Sequence, residues 1–304
     1  MLIRRAAKET LTALEMLHDD ILEFRLLNGK IVYIKLVDTG AEIMATNLKT
    51  PKVVTYDGWL TYRFWGDFEI DGEMVRLERE VGTQKSFYEP WVIAGVRLWL
   101  DAVDAIFEFL SDDHSPCRLN ENNSKELPPR NHARLALQDA TARICPEELH
   151  PWCPLPEGGL NIKDCFQGFD CWMGAFAGAE AHGGLDINHP RGTPLYAPID
   201  LDDHVLYKSI EMGCHNNYWR GMRHWPDGSY WILLSAHMER LTTPDHTPLK
   251  RGCQYAAGAG VWVWQFEHSH FAFTVLDQGE LIRLDPWILF WQMYQDADSS
   301  QQHC

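Results

Sequence analysis

Three short histidine-bearing stretches in the C-terminal half of the chain carry residue types that could bind a metal ion. His182 and Asp186 are separated by a segment with two glycines, which lets the backbone curl and both side chains converge on one ion. His268 and His270 are two residues apart in an apolar, aromatic run, and in a strand this spacing puts both imidazoles on one face of a sheet. The third stretch contains His237.

The chemistry that these residue types favour is that of a catalytic zinc ion. Zinc suits a ligand set of neutral imidazoles and one carboxylate, and three protein ligands leave a fourth position for a water molecule. His182, Asp186 and one of the pair His268 and His270 supply that set. The chain has 14 histidines, so a single one carries little weight. The prediction depends on the three stretches occurring together.

The local sequences around these residues resemble the motifs of one enzyme family. Residues 182–187 (HGGLDI) and 192–197 (GTPLYA) resemble the H-x-G-x-D and G-T-P-V/L-Y-A motifs of the lysostaphin/LytM-type zinc metallopeptidases, which are peptidoglycan endopeptidases. Residues 234–237 (LSAH) resemble the Y-x-H segment of that family, and 268–271 (HSHF) resemble its H-L-H-F segment. The resemblance covers about residues 160–290.

This resemblance implies a role for each of the five residues. It implies that His182, Asp186 and His270 bind Zn²⁺, that His268 is the general base, and that His237 orients the attacking water or stabilises the oxyanion. Zinc lowers the pKa of its water and polarises the scissile carbonyl, while an imidazole that titrates near neutrality can accept and return the proton. The implied activity is hydrolysis of an amide bond in peptidoglycan stem or cross-bridge peptides, or in another peptide substrate.

Three departures from the family pattern concern the substrate groove. The bulky run 261–266 stands where the family has a small, glycine-rich turn, Ala272 replaces an acid, and Asp202-Asp203 stands where the family tends to have a glycine turn. Two alternatives therefore stay open: a non-catalytic binding or regulatory module on the same fold, and a zinc amidase or esterase that acts on another substrate.

Composition restricts the class of partner. The 304 residues carry a formal net charge of −16 and a sequence pI near 5.2, which argues against nucleic acid because phosphates require a basic face. The sequence contains no apolar run of the roughly 18 residues that a membrane span needs. It does not indicate an oligomeric state.

The compartment is predicted from the resemblance rather than from a leader sequence. The family acts outside the cytoplasm, in the cell envelope or the medium, although residues 1–8 are not followed by the apolar region of a signal peptide. A cytoplasmic location is the alternative. Among eight cysteines, Cys145 with Cys153 and Cys165 with Cys171 are spaced for small disulfide loops in an exported protein, and buried free thiols are the other interpretation.

The elements predicted to carry these residues are mainly β-strands. Alternating apolar residues around the Asn28-Gly29 and Asp71-Gly72 turns predict two hairpins. Helical spacing predicts a short helix at 9–20 and an amphipathic helix at 91–110 that closes a β-rich N-terminal domain. We expect this domain to occupy residues 1–110, without an identifiable chemistry.

A polar, turn-rich linker is predicted at 111–135, followed by a domain at 136–298. Strands are predicted at 194–197, 229–236, 260–266 and 270–276, so the second domain is an antiparallel β-sheet fold. The resemblance implies a LytM-like domain, also called a duplicated hybrid motif. Residues 203–228 are predicted to be an inserted loop that walls the groove.

Overall fold

The computed structural model describes residues 1–49, 58–109, 127, 129–176, 180–209, 216–241, 243–258 and 268–301. These residues form two compact units. The first comprises Met1–Pro146 and Trp172–Gly183, and the second comprises Glu147–Cys171 and Gly184–Cys304. The predicted mainly β fold is confirmed, because almost all of the regular structure is strand. The predicted domain limits stay a prediction.

The first unit contains eleven of the strands. They are β1 (Leu2–Ala6), β2 (Thr12–Met16), β3 (Ile21–Arg25), β4 (Ile31–Thr46), β5 (Leu60–Ile70), β6 (Glu73–Val81), β7 (Trp91–Ile93), β8 (Val96–Val103), β9 (Ala133–Asp139), β10 (Ala175–Phe176) and β11 (Glu180–Ala181).

The second unit contains the remaining strands and a helix. They are β12 (Leu185–Asn188), β13 (Pro194–Tyr196), β14 (Asp203–Tyr207), β15 (Asn217–His224), β16 (Tyr230–Leu241), β17 (Gln254–Gly258), β18 (His268–Asp277), β19 (Glu280–Leu284) and α1 (Trp287–Gln301).

The first unit is built on two sheets. One has the strand order β1-β3-β4-β5-β6, with β1 parallel to β3, and the other has the order β2-β9-β8-β7; β10 and β11 form a separate short pair. Both predicted hairpins are confirmed, since Gly29 and Gly72 adopt φ of 86° and 88° between the paired strands β3 and β4 and β5 and β6. Strand β5 alternates buried and less buried side chains, as its sequence predicts.

The predicted amphipathic helix at 91–110 is wrong. Strands β7 and β8 occupy most of that range, joined at Ala94 and Gly95, whose φ angles of 54° and 93° belong to a two-residue hairpin turn. A short 3₁₀ turn follows at Asp104–Glu108. Strand β8 is buried on both faces along most of its length, so its apolar residues also satisfy helical spacing.

The predicted helix at 9–20 is wrong for the same physical reason. Its centre is strand β2, which is buried at every position and pairs antiparallel with β9. A short strand without a solvent-exposed face has no alternation in its sequence, so its leucines resemble one side of a helix.

The second unit is organised by an eight-stranded sheet. Its main path is β12-β18-β16-β15-β14, with β13 on β17, β17 on β16 and β19 on β18. One face of this sheet is covered by α1: Phe271 of β18 contacts Phe290 edge to face at 5.4 Å and Trp152 at 4.9 Å between ring centroids. The helix begins after Asp285, whose Oδ1 accepts a hydrogen bond from the Trp287 amide at 2.8 Å.

The predicted loop at 203–228 is also wrong. Among the described residues of this range, most belong to β14 and β15, which pair with each other and continue the sheet outward from β16. The predicted strands at 194–197, 229–236 and 270–276 match β13, β16 and β18. The predicted strand at 260–266 and most of the predicted linker lie outside the described residues. Among the described helices, none combines the length and apolar composition needed to cross a bilayer.

Candidate metal centre

A buried carboxylate faces two imidazoles across one antiparallel strand pair. Asp186 on β12 lies directly opposite His270 on β18. Its Oδ1 is 2.8 Å from His270 Nδ1 and its Oδ2 is 3.4 Å from His268 Nε2. Both the Asp186 and the His268 side chains are almost fully buried, whereas 14% of the His270 side chain is exposed. The three groups therefore meet at one point with limited access to solvent.

The alternation of side chains along β18 places the candidate site residues on one face of the sheet and the apolar core residues on the other. His268 and His270 project from the face that carries Asp186, as their spacing predicts, while the buried Phe271 projects from the opposite face onto α1. Packing of the apolar face therefore fixes the strand that presents the imidazoles.

Gly184 is required by a close approach of the backbone to His270. A Cβ atom at this position would lie 2.3 Å from His270 Cε1 and 2.5 Å from the Phe271 carbonyl oxygen. Both distances are shorter than real contacts allow, so only glycine fits. The sequence predicts a glycine here for its conformational freedom, whereas the structure requires it because a side chain would clash.

His182 is brought to the same point by its position in the chain. It follows β11, and three residues separate it from Asp186. One ligand atom each of His182, Asp186 and His270 lies within 4.8 Å of the other two. Among the described residues this is the one group of three or more histidine, cysteine and acidic side chains arranged closely enough to hold an ion.

His237 reaches the centre because of a β-bulge. Ala236 pairs with Tyr218 and Met238 pairs with Asn217, so His237 is an extra residue in β16. Its φ of 62° lies in the left-handed region, which residues other than glycine adopt at some cost in backbone strain. The bulge turns its ring toward His268, at a centroid distance of 4.8 Å, and toward His270, at 6.4 Å.

A hydrogen bond holds the His237 ring in this orientation. Its Nδ1 is 2.8 Å from Asn216 Oδ1. Because a carbonyl oxygen only accepts, Nδ1 carries the proton, and in the neutral ring Nε2 is then an acceptor. Asn216 was not a candidate from sequence.

His268 is positioned by an aromatic ring on the segment that precedes the site. Phe166 stacks on it with a centroid distance of 4.1 Å and an interplanar angle of 29°. This segment is tied to β12, since Asn188 Nδ2 donates to the Cys165 carbonyl at 2.9 Å and the Asp186 amide donates to the Asp170 carbonyl at 3.0 Å. Nothing in the local sequence around Phe166 indicated this contact.

His189 lies near the centre but makes a different contact. Its Nε2 is 2.7 Å from Ser269 Oγ, on the face of β18 opposite His268 and His270. Burial lowers the pKa of His189 to about 4, with a smaller contribution from the charge of His268. The ring is therefore neutral at physiological pH.

The five cysteines that the structure describes do not belong to the group of candidate ligands. Cys145, Cys153, Cys165 and Cys171 are buried free thiols and Cys253 is an exposed one, so the two disulfide loops are absent. Burial raises the pKa of the Cys153 thiol to about 12, which keeps it protonated and unreactive.

The donor set fits a zinc ion. His182 and His270 offer imidazole nitrogens and Asp186 offers a carboxylate oxygen, and three such ligands are the set found in catalytic zinc sites. The second contacts of ligands also matter: the packing of β18 and the lack of a side chain at Gly184 hold His270 against Asp186. The predicted ligand and base assignments themselves stay predictions.

Comparisons with known proteins give distant structural likenesses. No protein-family model matches the chain, and no curated protein matches it either. The antimicrobial peptidase lysostaphin from Staphylococcus simulans is 17% identical, over 49% of this chain and 51% of that chain, with a TM-score of 0.31. LytU is 20% identical over 35% and 70% of the two chains, with a TM-score of 0.28.

A third likeness extends over more of the molecule. A zinc-containing peptidase from Vibrio cholerae is 13% identical over 89% of this chain and 83% of that chain, with a TM-score of 0.29. The matched part spans 44% of the lysostaphin chain in its NMR solution structure.

Proposed function

We propose that the protein is a zinc-dependent peptidase. The observation that carries this proposal is the convergence of His182, Asp186 and His270, whose ligand atoms lie within 4.8 Å of one another. Two further imidazoles, those of His268 and His237, stand beside this group with ring centroids 4.8 Å apart. A structural zinc site would require four protein ligands and no adjacent base, so the arrangement favours catalysis.

In the proposed mechanism, His182, Asp186 and His270 hold the ion. When bound, zinc would polarise the scissile carbonyl and lower the pKa of the attacking water. His268 takes the proton of that water and returns it to the leaving amine. Its stacking on Phe166 and its contact with Asp186 restrict the ring to one orientation, which a base must keep through both transfers.

His237 has a separate role in this proposal. With Nδ1–H directed at Asn216, its Nε2 accepts a hydrogen bond from the attacking water and orients it toward the carbonyl. The strained backbone of the bulge is then the cost of placing a second imidazole near His268.

The proposed substrate is an amide bond in a peptidoglycan stem or cross-bridge peptide. This part of the proposal is supported by the motif resemblance of residues 182–197 and 268–271. Such a peptidase would act outside the cytoplasm. A zinc amidase that acts on another peptide would use the same centre. A panel of substrates offered to the zinc-loaded protein distinguishes it from a peptidoglycan peptidase.

The first experiment measures metal and activity together. Wild type and His270→Ala are analysed for bound zinc by elemental mass spectrometry and incubated with purified peptidoglycan, with released amine ends counted. We expect near-stoichiometric zinc and new amine ends in wild type and the loss of both in the variant. His224→Ala is the matched control, because His224 is an exposed histidine on the same sheet. Absence of zinc from carefully loaded wild type would reject the proposal.

A further inference from the structure

A row of paired residues leads from the candidate metal centre across the sheet to its edge. Asp186 pairs with His270, His270 with Ala236, Ala236 with Tyr218, and Tyr218 with Tyr207. Directly opposite residues in antiparallel strands project from the same face. Tyr218 and Tyr207 therefore stand on the face of the centre, two and three strands from His270, or about 10 and 14 Å at the usual strand spacing.

Ala236 is the smallest residue of this row, and we call the strip of Ala236 and Leu234 the trough. Ala236 is partly exposed and lies between His270 and Tyr218 in the register of the sheet. Leu234, two residues along β16, is also partly exposed and continues the floor. Tyr218 stacks on Tyr207 with a centroid distance of 4.7 Å and an interplanar angle of 12°, so the far wall is a rigid aromatic pair.

Arg220 adds a positive charge to that wall. It is two residues from Tyr218 on the same face of β15, and its guanidinium lies over the Tyr207 ring at 5.4 Å. Within the described part of the chain, Arg220 forms no ion pair; its buried Nε, like that of Arg223, has no hydrogen-bond partner. A guanidinium with donors to spare is suited to a carboxylate, which it binds through two parallel hydrogen bonds.

Arg223 on the same strand shows the contrast. It projects to the opposite face and is paired with Glu147 at 3.0 Å and Asp202 at 3.4 Å. The chain has a net charge of −16, yet Arg220 lies on the face of the centre without a carboxylate partner.

We propose that the trough over Ala236 and Leu234, walled by Tyr218 and Arg220, is a substrate subsite for a peptide residue that bears a carboxylate. The inference rests on the proposed peptidase function and specifies its substrate class. An extended peptide rises about 3.3 Å per residue, so the carboxylate belongs within about three residues of the scissile bond. Tyr218 supplies apolar contact to that residue, and Arg220 supplies its charge partner.

The test uses matched synthetic peptides. Short alanine-glycine peptides that differ only by Glu or Gln at a single position are titrated into zinc-loaded wild type and Arg220→Gln by calorimetry, and their cleavage is followed by mass spectrometry. At one position we expect the Glu peptide to bind wild type about tenfold more tightly than its Gln partner, the usual effect of a charge-assisted pair. Arg220→Gln should bind both peptides with the affinity that wild type has for the Gln peptide.

Arg223→Gln is the matched control and should keep the wild-type discrimination. Equal binding of the Glu and Gln peptides by wild type at every position, no measurable binding of any peptide, or discrimination that survives Arg220→Gln would each overturn the subsite. Discrimination without cleavage would keep the subsite and reject the peptidase function. Cleavage without discrimination between the Glu and Gln peptides would keep the peptidase function and reject the subsite.

Discussion

Two buried acidic clusters, one in each unit, differ in the partners of their carboxylates. In the first unit, Arg134 donates from Nε to Glu15 at 3.1 Å and from Nη1 to Asp101 at 3.5 Å. Glu15 also accepts from the backbone amide of Arg130 at 2.8 Å. In the second unit, the carboxylate of Asp186 meets the imidazoles of His268 and His270.

The partner decides what each cluster can do. A guanidinium stays protonated at every physiological pH, so the cluster around Arg134 is a fixed ion pair that joins β2, β8 and β9. An imidazole is neutral near pH 7 and can bind a metal or move a proton. The same buried carboxylate is therefore structural in the first unit and a candidate ligand in the second.

The largest expected effect comes from changing the carboxylate of the second cluster. Asp186→Asn keeps the shape of the side chain but removes its charge, so zinc binding should be lost and hydrolysis should fall roughly a thousandfold or more. Bound zinc and initial rates are the measurements. Retention of full activity by this variant would exclude Asp186 as a ligand.

The first cluster should respond in stability instead. Arg134→Met removes the guanidinium that Glu15 and Asp101 share and leaves Glu15 with Arg130 at 3.2 Å, which should lower the free energy of unfolding by about 3–5 kcal/mol. Urea unfolding measures this loss. Arg76→Gln, which breaks an exposed pair with Asp67, is the control and should cost less than about 1 kcal/mol. Because the cluster around Arg134 is structural, the folded Arg134→Met protein should hydrolyse substrate at nearly the wild-type rate.

His189 sharpens the comparison, since its half-buried imidazole has a hydroxyl partner rather than a carboxylate. Its pKa is about 4 in the folded protein and near 6.5 when unfolded. Above pH 6.5 the ring is neutral in both states; as pH falls from 6.5 to 4, only the unfolded chain takes up the proton. Stability should therefore fall over that window, by up to roughly 3 kcal/mol.

The measurement is the free energy of unfolding of wild type and His189→Gln between pH 7 and pH 4. The variant should lose less stability than wild type over this range. Parallel pH profiles for the two proteins would show that folding does not lower the pKa of His189.

The smallest expected effect is at Asn216, which supports His237 without being part of the buried cluster. Asn216→Leu removes the acceptor for Nδ1–H, and kcat should fall about ten- to hundredfold, the usual effect of losing the hydrogen-bond partner of a site imidazole. KM and bound zinc should not change. Asn216→Asp keeps the oxygen acceptor and should recover most of the rate, whereas equal losses in both variants would show a structural role only.

Much of the fold could be predicted where residues close together in sequence decide the local structure. Asn28-Gly29 and Asp71-Gly72 supplied the positive φ that a tight hairpin requires. The strand period predicted that His268 and His270 share a face, which Phe271 packed on the opposite side confirms. Type and spacing predict His182, Asp186 and one of His268 and His270 as a ligand set, the family resemblance implies His270, and the structure brings His182, Asp186 and His270 together.

Local pattern failed where a strand has no exposed face. Strands β2 and β8 are buried on both sides by their neighbours, so their residues carry no alternation and resemble helices. Only the pairing of these segments with neighbouring strands shows that they are strands rather than helices.

Sequence alone determined the tight turns and the mainly β class, because both depend on residues that are near one another in the chain, and its motifs predicted the candidate ligands. The tertiary structure decided which distant residues support the centre: Phe166 on His268, Asn216 on His237, and Arg220 on its sheet face. Register fixed these contacts, since a shift of one residue in β15 or β18 would turn every side chain to the other face.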